Sequence, residues 1–169
     1  MGGRPKGLLA SPDGRRIVDR WAAILADLGV PFVLVGDARA YGHLAVEALA
    51  DDPPGIGPLG GLVALLRRAG PASALAFACD MPFVSPDLIE RLRAAPARGL
   101  VVAPRRSGRW EPLCARYDSA RVLPLAVSHA LSGERSLQKL LDRSGAEALR
   151  LSPAEERELD DWDTPSDIA

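Results

Sequence analysis

The chain has 169 residues, 47% of them apolar, and its 21 basic and 22 acidic residues leave a net charge of −1. That length fits one domain with a substantial core, and that apolar content excludes a disordered chain. Near-neutral charge excludes a general nucleic-acid surface, and no apolar run is long enough to span a membrane, so a cytoplasmic location is expected.

Met1-Gly2-Gly3-Arg4-Pro5-Lys6-Gly7 places glycines ahead of a lysine. Glycines let backbone N–H groups approach phosphate oxygens, and a lysine adds a mobile positive charge. An exposed turn has the same composition, so this segment alone does not decide between the two. Lys6 is followed by Gly7 rather than Ser or Thr, so a complete Walker A loop is absent.

Ile17, Trp21, Ile24, Leu25 and Leu28 recur at helical spacing, and Gly29 follows as a stop. Residues 31–36 form a short apolar run closed by glycine, expected to be a buried parallel strand. Residues 44–50 fit a strand or a helix. Pro58 opens a helix over residues 58–69. A second strand covers residues 73–79, and a helix over 86–95 has Ser85 as its N-cap. Further strands are expected over 99–103, 111–117 and 146–151, with helices over 119–131 and 136–142. Strands alternating with helices imply an α/β domain with a mainly parallel sheet and helices on both faces. Ligands of such sheets bind outside the carboxyl ends of the strands.

That rule selects Asp80, which ends the run Ala74–Cys79 and precedes Met81-Pro82. A carboxylate at the sheet rim suits Mg²⁺ shared with substrate phosphates, and it equally suits a turn aspartate bonding its own backbone. Asp51 and Asp52 precede a Pro/Gly-rich loop, residues 53–61, that allows close backbone approach to a ligand or simply enters a helix. Asp163, ahead of Thr164-Pro165, fits a helix cap. Arg105, Arg106 and Arg109 form a basic group that fits a solvated loop better than an anion contact. Cys79 and Cys114 lack metal-ligand spacing and are expected to be buried thiols. His43 and His129 lie near no nucleophile motif, and Gly-x-Ser-x-Gly is absent.

In combination, Met1–Leu9, Gly57-Pro58-Leu59-Gly60-Gly61, Cys79-Asp80-Met81-Pro82-Phe83, Glu111-Pro112-Leu113-Cys114-Ala115, Ser136-Leu137-Gln138 and Asp163-Thr164-Pro165-Ser166-Asp167 resemble the molybdenum cofactor guanylyltransferase family. The matches cover nearly the whole chain. The resemblance implies a Rossmann-like nucleotidyltransferase that uses Mg²⁺ to transfer GMP from GTP to the terminal phosphate of molybdopterin or molybdenum-molybdopterin. Pyrophosphate is released. It implies Lys6 and Asp80 as the catalytic pair, with Gly2, Gly3, Lys6, Asp51 and Asp80 on the nucleotide and Asp80 on the metal. Asp52 competes with Asp51. Other molybdenum cofactor biosynthesis proteins are implied partners; nucleic acid and membrane are not.

The family pattern also has a strand and a Leu-Ala-Gly-Gly stretch ahead of this Met-Gly. Residues 1–169 are therefore expected to be one N-terminally incomplete domain whose first strand is missing. Its neighbours would carry unpaired edges, each buried unpaired group costing roughly 1–3 kcal/mol. This form is expected to be unstable, aggregation-prone or poor at binding GTP. The alternatives are a molybdenum cofactor cytidylyltransferase, whose pattern tends to Gly-Asp-Gln-Pro at residues 79–82, and a non-catalytic molybdopterin-binding paralogue.

Overall fold

The computed structural model describes residues 5–96 and 98–160. In chain order the elements are α1 (Ile17–Asp27), β1 (Val33–Val35), β2 (Glu47–Leu49), α2 (Pro58–Ala69), β3 (Ser73–Phe77), α3 (Pro86–Ala94), β4 (Val101–Arg106), β5 (Arg109–Trp110), β6 (Cys114–Asp118), α4 (Ser119–Leu131), α5 (Leu137–Arg143), β7 (Glu147–Leu149) and α6 (Pro153–Glu158). Short 3₁₀ turns cover Lys6–Leu8 and Arg39–Tyr41.

The helices form where the sequence carries an apolar stripe, a start signal or both. On α1 the residues Ile17, Val18, Trp21, Ile24 and Leu25 are buried, the spacing of one helical face. Gly29, with φ 62°, turns the chain out of that helix. Pro58 stands in the first turn of α2. Ser85 Oγ accepts the Leu88 N–H to start α3, and Ser136 Oγ does the same for Lys139 in α5. At α6, Ser152 and Glu155 form a reciprocal capping box.

The strands fall into two sheets. β1 and β2 pair in parallel, Val33 opposite Glu47. The larger sheet has the order β3-β6-β4-β5, with β7 also on β4. Within it β3, β4 and β7 run one way, and β6 and the short β5 run the other. The mainly parallel α/β expectation therefore holds for strand direction, with β6 inserted antiparallel between β3 and β4. Of residues 44–50, open between helix and strand in the sequence, Glu47–Leu49 form a strand.

Helices cover both faces of the larger sheet. One core packs α2, α4 and α5 on it through Leu59, Val63, Leu66, Tyr117, Val122 and Leu141. The other packs α1 and α3 through Ile17, Trp21, Leu88, Ile89 and Cys114. Each such side chain contributes about 1.5–3 kcal/mol when fully removed from water. These layers bring the carboxyl end of β3, and with it Asp80, to one rim of the domain.

Candidate active site

The best-defined polar contact between distant segments at that rim joins Lys6 and Asp80. Lys6 lies in the 3₁₀ turn and Asp80 three residues beyond β3, and Lys6 Nζ donates to Asp80 Oδ2 at 2.8 Å. The two side chains are 33% and 16% exposed, so the pair is screened less than an open surface bridge yet remains reachable from solvent. Next to it Gly7 packs on Tyr41: a Cβ at Gly7 would lie 2.9 Å from the Tyr41 hydroxyl oxygen. The Gly7 backbone hydrogen-bonds that hydroxyl, which also reaches the Cys79 thiol. Burial raises the Tyr41 pKa, so the phenol stays neutral and able to donate.

A cavity of about 920 Å³ opens beside this pair, bordered by β1, β3, Asp51, Asp80 and the start of α2. The glycines of the 57–61 turn set its wall. A Cβ at Gly60 would meet the Pro53 carbonyl oxygen at 2.5 Å, and one at Gly61 would stand 3.0 Å from Val35 Cγ1 and 3.3 Å from Asp51 Oδ1. Only glycine lets α2 approach β1 and Asp51 this closely.

The structure separates the two neighbouring aspartates. Asp51 borders the cavity together with Asp80. Asp52 turns to the surface and pairs with Arg67 at 3.0 Å, both side chains about half exposed. Gly2, Gly3 and Asp163 lie outside the described residues.

Other sequence expectations are corrected. Cys114 is fully buried as expected, and burial pushes its thiol up to about 12. Cys79 is instead exposed at the cavity rim, because the strand ends at Phe77 and releases it. Its pKa is still raised, first by the neighbouring atoms that desolvate the thiol and then by the negative charge of Asp80. The three arginines do not form a solvated loop. Arg105 and Arg106 end β4 and Arg109 begins β5, so they frame a hairpin. The Arg105 guanidinium lies 4.7 Å from the Trp110 ring centroid. Arg106 bonds Glu111 at 2.9 Å, Asp160 at 2.8 Å and the Leu159 carbonyl at 3.0 Å, tying the hairpin to the end of α6.

Sequence reasoning missed two supports. Tyr41 carried no motif signal, and only its place after a glycine-closed strand could have pointed to it. Gln138 was seen only as part of a family match. Its amide accepts the Trp110 N–H at 2.9 Å and donates to the Trp110 carbonyl at 2.8 Å, while the Trp110 indole donates to Asp142 at 2.7 Å.

Among the described residues no three His, Cys, Asp or Glu side chains cluster as a metal cage. One or two carboxylates at the rim fit Mg²⁺ held jointly with substrate phosphates, the usual way that ion is bound. Among those same residues no helix is long and apolar enough to cross a membrane.

Comparison with known proteins gives a consistent relationship. The MobA-like NTP transferase domain matches residues 1–149. A molybdenum cofactor guanylyltransferase of Pseudomonas putida is 34% identical over 172 residues, covering 98% of this chain and 87% of the relative. A probable molybdenum cofactor guanylyltransferase of Mycobacterium bovis is 37% identical over 166 residues, covering 93% and 80%. The crystal structure of molybdopterin-guanine dinucleotide biosynthesis protein A from Archaeoglobus fulgidus superposes with a TM-score of 0.78 at 25% identity, covering 98% of this chain and 88% of that one. The 2-C-methyl-D-erythritol 4-phosphate cytidylyltransferase of Thermus thermophilus shares the fold, with a TM-score of 0.72 at 18% identity and 97% and 90% coverage.

Proposed function

The chain belongs to the MobA-like NTP transferase domain family, and from that premise we propose that it transfers GMP from GTP to the terminal phosphate of molybdopterin or molybdenum-molybdopterin. The observation that carries this reading is the Lys6–Asp80 pair at the rim of a cavity that Asp51 also borders. It brings a cation for a triphosphate and a carboxylate for a divalent ion to one place, from segments 74 residues apart.

In the reaction, an oxygen of the acceptor's terminal phosphate attacks the α-phosphorus of GTP. The new P–O bond forms as the bond to the β-phosphate oxygen breaks, and that oxygen leaves with its electron pair on pyrophosphate. The attacking oxygen is already ionised at neutral pH, so no strong general base is needed. Neither His43, which pairs with Asp19, nor the buried His129 lies among the groups proposed for chemistry. Lys6 offsets negative charge on the triphosphate, Asp80 orients Lys6, and the Tyr41 contact holds Gly7 in place. Asp51 is the proposed nucleotide-binding aspartate, with Gly2 and Gly3 contributing backbone N–H groups. Asp80 is the residue that would hold Mg²⁺ together with the substrate phosphates, and the ion would there supply Lewis-acid neutralisation of the developing charge. The expected setting is the cytoplasm, with other molybdenum cofactor biosynthesis proteins as partners and no nucleic acid or membrane.

The test is pyrophosphate release by the purified protein with GTP, Mg²⁺ and molybdopterin. Activity that requires GTP over CTP and is lost in Asp80→Ala supports the reading. Equal use of CTP moves the assignment to cytidylyl transfer. Undiminished activity in Asp80→Ala rules out the proposed site.

A further inference from the structure

After β3 the chain runs from Ala78 to Ser85 without helix or strand, and Asp80 stands in that segment. Two buried side chains, Met81 and Val84, hold it against the core that α1 and α3 share. Pro82 fixes its own φ and keeps Met81 extended, so residues 80–84 form a short, stiff arm. A shift at the far end of such an arm is passed on to Asp80 rather than absorbed.

That far end is gripped at a single peptide unit. Arg20, on α1, donates from Nη2 to the Val84 carbonyl at 2.7 Å. Glu158, the last residue of α6, accepts the Ser85 N–H on Oε2 at 2.8 Å. Val84 C=O and Ser85 N–H belong to the same peptide, so a cation holds its negative end and an anion its positive end. Charge-assisted bonds are roughly twice as strong as neutral ones, and this peptide cannot rotate without losing both. The two partners come from positions 64 and 73 residues away in the chain. Ser85 Oγ, next to the gripped N–H, starts α3 by accepting from Leu88.

As a way of stabilising the fold the grip is a poor one. Arg20 Nη1 is buried and has no acceptor among the described residues. Burial pushes the Arg20 guanidinium below the ordinary arginine range; Asp13 raises it, Arg15 lowers it and Glu158 raises it. An apolar side chain in place of a buried charge is often neutral or stabilising. What the charges add is direction: they fix one peptide, four residues beyond Asp80, in one orientation. We infer that Arg20 and Glu158 are positioning residues for Asp80, clamping the Val84–Ser85 peptide and so setting where the carboxylate meets Lys6 and the substrate phosphates. The role of Asp80 rests on the reaction proposed above; the clamp itself rests on the two bonds.

The experiment compares Arg20→Met and Glu158→Gln with Arg20→Lys, which keeps a charged donor for the Val84 carbonyl. Cys79, exposed beside Asp80, reports the arm by its alkylation rate at fixed pH with no nucleotide or metal present, and buried Cys114 reports global opening. Arg20→Met and Glu158→Gln should each label Cys79 about threefold faster or more and exchange the Ser85 amide about tenfold faster. Cys114 should stay unlabelled, and the Tm of Arg20→Met should stay within about 4 °C of the parent protein. In pyrophosphate release, the half-saturating Mg²⁺ concentration should rise about tenfold in both, and Arg20→Lys should return every readout toward the parent. Unchanged Cys79 labelling in both variants would overturn the inference. So would Cys79 and Cys114 opening together with a fallen Tm, since the clamp would then serve the whole core. No pyrophosphate release by the parent protein, with Cys79 labelling still responding to the substitutions, removes the proposed reaction and leaves the clamp.

Discussion

The two sheets are made of similar residues and have different fates. In the larger one, β4 is paired on both sides, by β6 and β7, and its Val101, Val102 and Ala103 are almost entirely buried. In the smaller one, β1 is just as apolar, is paired on one side among the described residues, and buries nothing fully. Apolar sequence is therefore not enough to bury a strand; pairing on both edges and helices on both faces are required together. Lys6, Asp51 and Asp80, the residues proposed for the site, stand at the seam between the two regions rather than inside either.

Mutations can break or sharpen that contrast. The largest effect is expected in the well-packed region: Leu66→Ala, at a fully buried position, should cost about 2–5 kcal/mol in urea unfolding. Val33→Ala in the open sheet should cost under about 1 kcal/mol, and an equal loss at both sites would erase the contrast. At the seam, Asp80→Ala should lower kcat about 10²–10³-fold, a loss of transition-state charge stabilisation, while leaving far-UV circular dichroism unchanged. Gly60→Ala places a methyl 2.5 Å from the Pro53 carbonyl and should destabilise by about 1–3 kcal/mol. The same shift should weaken GTP binding through Asp51, measured by calorimetry. Asp52→Asn, which removes only a surface pair with Arg67, should change stability by less than about 1 kcal/mol and leave GTP affinity alone.

Cysteine labelling reads the contrast without mutation. Both thiols have raised pKa values, so both react more slowly than a free cysteine at pH 8 and faster as pH rises toward deprotonation. Cys79, exposed at the seam, should still be alkylated in the native protein. Cys114, buried and near 12, should wait for unfolding. Mass spectrometry of the alkylated peptides distinguishes the two.

Most helices were legible because they carried an apolar period, a start signal or both. Ser85, Ser136 and Pro58 start helices where the sequence places them. β5 was not legible, since two residues give no period; it exists because Arg105 and Arg106 pair with Trp110 and Arg109 across a turn. α6 was missed because it buries none of its residues and so has no apolar stripe, although Ser152 and Glu155 spell a capping box. Asp80 was legible from its place at a strand end. Its pairing with Lys6 was not legible from the residues alone, because no local rule links positions that far apart. That Asp52 pairs with Arg67 at the surface while Asp51 borders the cavity was not legible either, because it depends on the position of a residue in the next helix.

The Gln138 clamp on Trp110 has an optical consequence. Trp110 belongs to the closed region and is fixed by three hydrogen bonds, its indole donating to a carboxylate. Trp21 belongs to the seam, 4.7 Å from the Phe77 ring and with no acceptor for its indole N–H among the described residues. The two chromophores differ in polarity and rigidity, so once the chain's third tryptophan, Trp162, is replaced by Phe, replacing either one by Phe as well leaves a fluorescence signal dominated by a single region. Their emission maxima followed through a thermal ramp time the loosening of the seam against the melting of the sheet beside it.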